Sequence, residues 1–137
     1  MSSSATGTGL TRHAPVVLSI LRLVAGLLFL EHGTQKLFGF PASEHMPDTF
    51  TLAWFAGILE AAGGLLVALG LFTRQAAFII SGEMAFAYFI AHFPRSFFPV
   101  LNGGDAAILY CFVFLYLVFA GPGPISLDAS LRRKSGY

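Results

Sequence analysis

The sequence predicts an all-α protein, a four-helix transmembrane bundle with both termini in the cytoplasm. Of its 137 residues, 55% are hydrophobic and 11% are charged, whereas about a quarter of the residues of a soluble domain are charged. The chain has room for four apolar spans of about 20 residues each, separated by short loops. Basic residues concentrate in the segments that four spans bring to one side, and the positive-inside rule assigns that side to the cytoplasm.

The predicted elements follow from the apolar runs and the residues that bound them. Pro15 suits the first turn of the first helix, and Pro94 closes the third. The run after Arg12 and His13 lacks an A-x-A-like cleavage site, so we expect a retained helix rather than a signal peptide. The prediction comprises a disordered tail at 1–13, a membrane domain at 14–124 with helices at about 15–38, 52–71, 75–92 and 105–120, and a cytoplasmic tail at 125–137.

Charge and cysteine content exclude several functions. A net charge of +1 gives no basis for nucleic-acid binding. Cys111 is the only cysteine, which excludes an internal disulfide, a CxxC redox pair and a cysteine-rich metal site. Cys111 is therefore expected to be a small core residue.

Glu60 lies near the middle of the second apolar run and is its only charge. A carboxylate at the centre of a membrane helix costs roughly 2.5–3.5 kcal/mol, so Glu60 needs a partner, a proton or a water-filled cavity. Gly57 and Gly64 lie on the same side of the helix at about 100° per residue. This face has the least bulk, and we expect it to point toward other helices.

Further ionisable residues lie at similar depth or nearer the outer end of the predicted bundle. Glu31 and Glu83 are the other deep carboxylates, while Arg22 and Glu31 point to opposite sides of the first helix. We expect Glu31, Glu60 and Glu83 to meet inside the bundle. His32, Lys36, His92 and Asp105 lie higher, toward the outer face, and Asp105 also suits the start of the fourth helix.

With these residues in view, the chain resembles the DoxX family of small four-helix membrane proteins, from about Leu21 to Asp128. The order and spacing of several short motifs carry the resemblance: Arg22 with residues 31–39 (EHGTQKLFG), residues 60–64 (EAAGG), 69–74 (LGLFTR), Glu83 to His92, 102–105 (NGGD) and 121–128 (GPGPISLD). Asp105 replaces the more usual Glu after the Gly-Gly pair. The resemblance implies links to quinone-coupled thiosulfate oxidation or to oxidative-stress complexes.

The first hypothesis is a quinone or quinol site in an outward-facing pocket. A quinone head group requires an apolar slot, hydrogen-bond donors and acid/base groups. The catalytic candidates are Glu60, Glu31, His32 and Glu83, and the cofactor-binding candidates are Lys36, His92, Arg22 and Trp54. Phe29 and Tyr88 are further candidates for the walls of the slot.

Several structural alternatives stay open beside this hypothesis. The charges also suit a buried ion-pair network in a non-enzymatic scaffold or assembly factor. Arg22 suits a snorkelling cation near the cytoplasmic face, and the stripe Phe112, Tyr116 and Phe119 suits helix packing. A metal is not expected, because neither Glu31–His32 nor Glu83–His92 has the Glu-x-x-His spacing of di-iron bundles.

These inferences describe a membrane subunit of a quinone-linked redox system. Since the chain shows no electron carrier of its own, a partner oxidoreductase is expected to deliver electrons. We expect membrane lipid to surround the chain and the bacterial inner membrane to be its location. The sequence leaves a homo-oligomer open. We expect a quinone and no metal as the cofactor.

Overall fold

The computed structural model describes residues 9–136, and this part of the chain contains helices and no strands. Its principal helices are α1 (Ala14–Phe38), α2 (Leu52–Leu69), α3 (Thr73–Ala87), α4 (Asp105–Ala120) and α5 (Leu127–Lys134). A 3₁₀ turn at Thr11–His13 precedes α1. Between α3 and α4 lie a π-helical turn at Tyr88–His92, a 3₁₀ turn at Phe93–Arg95 and one α-turn at Pro99–Asn102. The predicted all-α class is confirmed for the described residues. Most of the tail predicted at 1–13 lies outside them.

Three stretches of the described chain are long and apolar enough to cross a membrane: Thr11–Phe38, Leu52–Leu69 and Thr73–Arg95. The helix α4 is also apolar but has 16 residues, about 24 Å at 1.5 Å per residue. Large apolar side chains are exposed on each of the helices α1 to α4, among them Leu27, Phe55, Phe78 and Phe112. Faces of this kind are suited to acyl chains rather than to water.

The helices α1 and α2 run antiparallel with their backbones in close contact. A methyl group added at Gly26 would lie 2.5 Å from the backbone nitrogen of Ala68, and one at Gly64 would lie 2.6 Å from the α1 backbone. At Gly33 it would overlap the backbone of Ala61. Small residues allow this approach, which adds the dispersion contacts that hold helices together in lipid.

All four long helices contribute to the buried apolar core, which includes Phe29, Val67, Ile80, Phe114 and Leu117. The ring of Phe29 packs edge-on against that of Phe114, with centroids 5.0 Å apart. This contact joins α1 to α4, and so connects the closely packed α1–α2 pair to the other long helices.

The aromatic stripe of α4 faces outward. Phe112, Tyr116 and Phe119 are exposed, whereas Phe114 and Leu117 on the opposite side are fully buried. The prediction that the stripe packs against other helices is therefore wrong. A helix with apolar residues on every side gives no indication of which face is buried.

Arg22 joins several helix ends near the start of α1. It is 3% exposed and donates hydrogen bonds to the carbonyl oxygens of Val67 (2.7 Å), Ala68 (2.6 Å), Pro122 (2.8 Å) and Ile125 (2.5 Å). The last carbonyls of a helix lack partners within the helix. Arg22 satisfies those of α2, so the snorkelling prediction is wrong.

Three helix boundaries differ from the predicted ones. The helix α3 ends at Ala87, and a π-helical turn continues it to the predicted end at His92. The helix α2 ends at Leu69 rather than Leu71, because Gly70 adopts a left-handed conformation with φ of 69°. The helix α3 begins at Thr73 rather than Gln75. The Asp128 carboxylate accepts hydrogen bonds from two amides at its start, at 2.9 and 3.0 Å. Asp128 belongs to α5, a helix within the segment predicted as a polar tail.

Candidate functional site

An ion pair between Lys36 and Glu60 forms the centre of the site. The Lys36 Nζ lies 2.6 Å from the Glu60 Oε1, and the two side chains are 32% and 4% exposed. The contact of Gly33 with Ala61 sets the register of α1 against α2, and one turn further Lys36 lies beside Gly57. A methyl group at Gly57 would approach the Lys36 Cβ to 2.9 Å. The glycine thus leaves room for the lysine, and Lys36 supplies the partner that Glu60 needs.

Glu83 is the second carboxylate of the site and interacts electrostatically with both Glu60 and Lys36. Both of its carboxylate oxygens are buried, as is the Glu60 Oε2, and none of these three atoms has a hydrogen-bond partner among residues 9–136. Buried polar atoms are normally satisfied, and an unsatisfied one costs about 1–3 kcal/mol. Each of these oxygens therefore has a capacity to accept hydrogen bonds that no described residue uses.

An apolar slot of about 650 Å³ opens between α2 and α3. Lys36 and Glu83 are the charged residues in its wall, and Gly82 removes bulk beside Glu83. The remaining wall is apolar and includes Phe55, Leu59, Ile79, Phe86 and Ile90. A slot of this size between membrane helices suits an apolar molecule with a small polar end.

A smaller and more polar cavity of about 340 Å³ adjoins the slot. The two share Lys36, Ala87 and Ala91. The polar side chains in its wall are His32, Lys36, Glu60, His92 and Tyr110. The ion pair therefore separates an apolar space from a polar one.

Hydrogen bonds orient both histidines of the polar cavity. The Nδ1 of His32 lies 2.7 Å from the Leu28 carbonyl oxygen, and that of His92 lies 3.1 Å from the Asn102 carbonyl oxygen. A carbonyl oxygen only accepts, so each Nδ1 carries the hydrogen. In the neutral ring, the Nε2 is then the atom that accepts a hydrogen bond or a proton.

Sequence reasoning missed two residues that shape this cavity. Tyr110 lines it and packs edge-on against His32, with ring centroids 5.9 Å apart. Asn102 accepts a hydrogen bond from the Gly104 amide through Oδ1 and donates one to the Ser96 carbonyl oxygen through Nδ2, at 2.8 and 2.9 Å. Its own carbonyl then positions His92. The NGGD motif was a signal for this turn, whereas Tyr110 was hidden among the aromatic residues of α4.

The structure does not bring Glu31 together with Glu60 and Glu83. Glu31 is exposed and lies outside the walls of both cavities. It is two residues from Gly33, or about 200° around α1, so it points away from the face that packs on α2. The expectation that Glu31 joins Glu60 and Glu83 inside the bundle is therefore wrong.

Arg22, Trp54 and Tyr88 also lie outside the walls of the two cavities. Arg22 is 14 residues from Lys36 along α1, about 21 Å away, with its guanidinium bound to carbonyls. The Trp54 ring packs on Phe50. Its neighbours Ala53 and Phe55 line the apolar slot, because successive side chains on a helix diverge by about 100°.

Long apolar helices with lipid-facing side chains and a buried ion pair define an integral membrane protein with several spans. The chain belongs to the DoxX family, whose model matches residues 17–93. An uncharacterized protein of Haemophilus influenzae is 44% identical over 133 residues, covering 91% of this chain and 98% of its own.

Two Escherichia coli proteins are also similar. The inner membrane protein YphA is 30% identical, covering 83% of this chain and 89% of its own, and the inner membrane protein YqjF is 25% identical, covering 84% and 92%. No solved structure matches the chain. The protein is an integral protein of the bacterial inner membrane.

Proposed function

We propose that this protein is a membrane subunit of a redox system and binds the head group of a quinone or quinol beside Lys36, Glu60 and Glu83. The observation that carries this proposal is the Lys36–Glu60 pair, in which Glu60 is buried and Lys36 borders both the apolar slot and the more polar cavity. A quinone has the matching shape, with a polar ring at one end and an apolar tail at the other. The proposed tail position is the slot, beside Phe86 and Ile90.

The chemistry of the lining residues fits such a group. The Lys36 ammonium and the Tyr110 hydroxyl are donors for a carbonyl oxygen. The unpartnered Glu83 oxygens are acceptors for the hydroxyl of a reduced ring. A bound quinone would supply two-electron, two-proton chemistry. The roles of this chain are to bind and orient the head group, to exclude water and to hold protons at Glu60, Glu83 and His32.

A partner oxidoreductase is part of the proposal. Cys111 is the only cysteine, so the chain has no dithiol couple with which to carry two electrons. We propose that an electron donor approaches the site from another protein. The outer end of the molecule, where His32 and His92 lie, is the proposed side of approach.

We also propose that α1 to α4 are four spans with both termini in the cytoplasm. The chain on either side of the membrane domain at 14–124 is then cytoplasmic. The residues Arg12, Arg74 and Arg132–Lys134 belong to the end formed by the start of α1, the α2–α3 connection and α5. Lys36 and Arg95 belong to the other end, together with Glu44, Asp48 and Asp105. The first end therefore has the excess of Lys and Arg that the positive-inside rule assigns to the cytoplasm.

The competing function is a non-enzymatic scaffold in which the same charges only hold the helices in register. The short Lys36–Glu60 bond favours this alternative, because an ion pair that is complete in itself needs no ligand. The three unpartnered carboxylate oxygens favour the ligand site instead.

Glu60→Gln and Glu83→Gln test the proposal, with Glu31→Gln as a matched control on the exposed side of α1. Each protein is purified from bacterial membranes, and isoprenoid quinone is extracted and quantified by mass spectrometry. Binding of decylubiquinone and of its reduced form, decylubiquinol, is then titrated. We expect quinone with the wild type and the control. Decylubiquinol should bind at least tenfold more weakly to the two site variants, because its hydroxyl groups lose a charge-assisted hydrogen bond to a carboxylate oxygen.

Thermal unfolding in detergent separates the two functions. The site model predicts that Glu83→Gln unfolds within a few degrees of the wild type while binding is lost. The scaffold model predicts lower stability and no quinone in any sample. Equal quinone retention by all four proteins would also refute the site.

A further inference from the structure

We propose that the molecule binds the headgroup of an anionic phospholipid at the end where α2 joins α3, beside α5. Two cavities of about 370 and 450 Å³ adjoin each other there. They share Arg74, Pro122 and Arg132, and Arg133 lines the second. This site lies at the opposite end of α1 from Lys36 and takes no part in the proposed quinone site.

Hydrogen bonds hold Arg74 in place. Its Nη1 donates to the carbonyl oxygens of Val118 and Phe119, at 2.6 and 2.7 Å. A guanidinium has five N–H donors, so donors remain for an anion. Arg132 and Arg133 are exposed at the end of α5 and add two positive charges. Guanidinium groups match the geometry of phosphate oxygens.

One carboxylate, that of Asp128, also lines the first cavity. Its two oxygens accept hydrogen bonds from the amides of Phe72 and Thr73. Its charge is therefore directed at the positive N-terminal end of α3. Three arginines remain to face an anion.

The apolar part of the wall indicates a lipid rather than a free phosphate ion. Phe72 and Leu131 line the same cavity as Arg74, and they are 59% and 52% exposed. The ends of three apolar helices meet here, which is where a membrane helix reaches the headgroup layer. A short amphipathic helix that carries Arg132 and Arg133 near its end is typical of segments that bind anionic membrane surfaces.

Native mass spectrometry of the full chain in detergent tests this site. The protein is titrated with phosphatidylglycerol and, separately, with phosphatidylcholine. The double variant Arg132→Gln/Arg133→Gln removes two site charges. The matched control Arg12→Gln/Lys134→Gln removes two charges from residues outside the walls of both cavities. All four positions are exposed, so the variants are expected to fold, and thermal midpoints check this.

We expect phosphatidylglycerol to bind more tightly than phosphatidylcholine. The site variant should lose about 25-fold in affinity, a factor of about five per cation, and the control less than threefold. Equal losses in both variants would overturn the proposal, since net charge alone would then explain binding. Equal binding of phosphatidylcholine would overturn it too. Displacement of the lipid by glycerol phosphate at comparable concentration would assign the site to a free anion instead.

Discussion

A single side chain, Arg22, replaces several backbone hydrogen bonds that the helix ends cannot make. The prolines at 122 and 124 have no N–H group, and the last carbonyls of α2 have no partner within the helix. The planar guanidinium reaches four carbonyl oxygens at once, two at the end of α2 and two, those of Pro122 and Ile125, in the segment after α4. Its role is to join the ends of α1, α2 and α4.

Arg22→Lys should therefore lower stability and leave quinone binding unchanged. An ammonium is a compact charge with three donors and cannot reproduce the planar fork. Because a hydrogen bond to a charged group contributes about 1.5–3 kcal/mol, we expect a loss of about 2–3 kcal/mol in the free energy of unfolding. Unfolding in detergent with increasing dodecyl sulfate measures it. If Arg22→Lys loses quinone binding while its free energy of unfolding is unchanged, Arg22 belongs to the binding site instead.

Gly57 supports the Lys36–Glu60 pair by having no side chain. Gly57→Ala brings a methyl group to 2.9 Å from the Lys36 Cβ, so we expect Lys36 to move and decylubiquinone to bind at least fivefold more weakly. The titration described above measures this. Gly9→Ala is the control, because a methyl group there meets nothing within 4 Å. Unchanged binding in Gly57→Ala would show that the site does not depend on this contact.

At the scale of elements, two pairs of helices behave differently. The helices α1 and α2 approach through glycines, whereas α2 and α3 contact each other at Gly63 and Ile80 and leave the apolar slot between them on the side of Phe55 and Glu83. The register of the first pair places the ion pair, and the separation of the second admits a ligand.

Gly33→Ala should separate α1 from α2, because the methyl group would overlap the backbone of Ala61. We expect a loss of about 1–3 kcal/mol in the free energy of unfolding. The matched control is Gly82→Ala on α3, where the added methyl group meets nothing within 4 Å. If Gly33→Ala is as stable as Gly82→Ala, that result contradicts the close packing of α1 on α2.

Asp128 connects α5 to α3 by accepting hydrogen bonds from Phe72 and Thr73. Asp128→Ala removes this cap, and loss of a cap costs about 1 kcal/mol. We expect faster hydrogen exchange at the first amides of α3, measured by mass spectrometry, and unchanged exchange at the first amides of α2, which Thr51 caps. Uniform acceleration in both helices would point to global destabilisation instead.

At the scale of the whole molecule, charge asymmetry sets the proposed orientation. In a Cys111→Ser background, Ser43→Cys lies in the loop after α1 and Ser135→Cys lies just after α5, both exposed. A membrane-impermeant maleimide added to cells with a permeabilised outer membrane should label position 43 and leave 135 unlabelled until lysis. The reverse pattern would invert the proposed topology. Labelling of both positions would place them on the same side of the membrane, which would exclude α2, α3 and α4 as three spans between them.

Much of the fold was predictable from the chain, whereas the site was predictable only in part. Glu60 was identified as needing a partner, because a lone charge among apolar residues is conspicuous. The partner of Glu60 depends on the register of α1 against α2, which the contact of Gly33 with Ala61 sets. Neither the sequence around Gly33 nor the sequence around Ala61 specifies that contact. Glu31 looked equivalent to Glu60 by depth, but it faces away from α2.

Composition and apolar run length alone determine that this is a helical membrane protein, because a chain crossing lipid must satisfy its backbone hydrogen bonds internally. Tertiary packing decided which charges meet. In helices that are apolar on every side, periodicity does not mark the buried face. Close backbone contact between particular glycines sets that face, and with it the pairing of Lys36 with Glu60 and the exposure of Glu31.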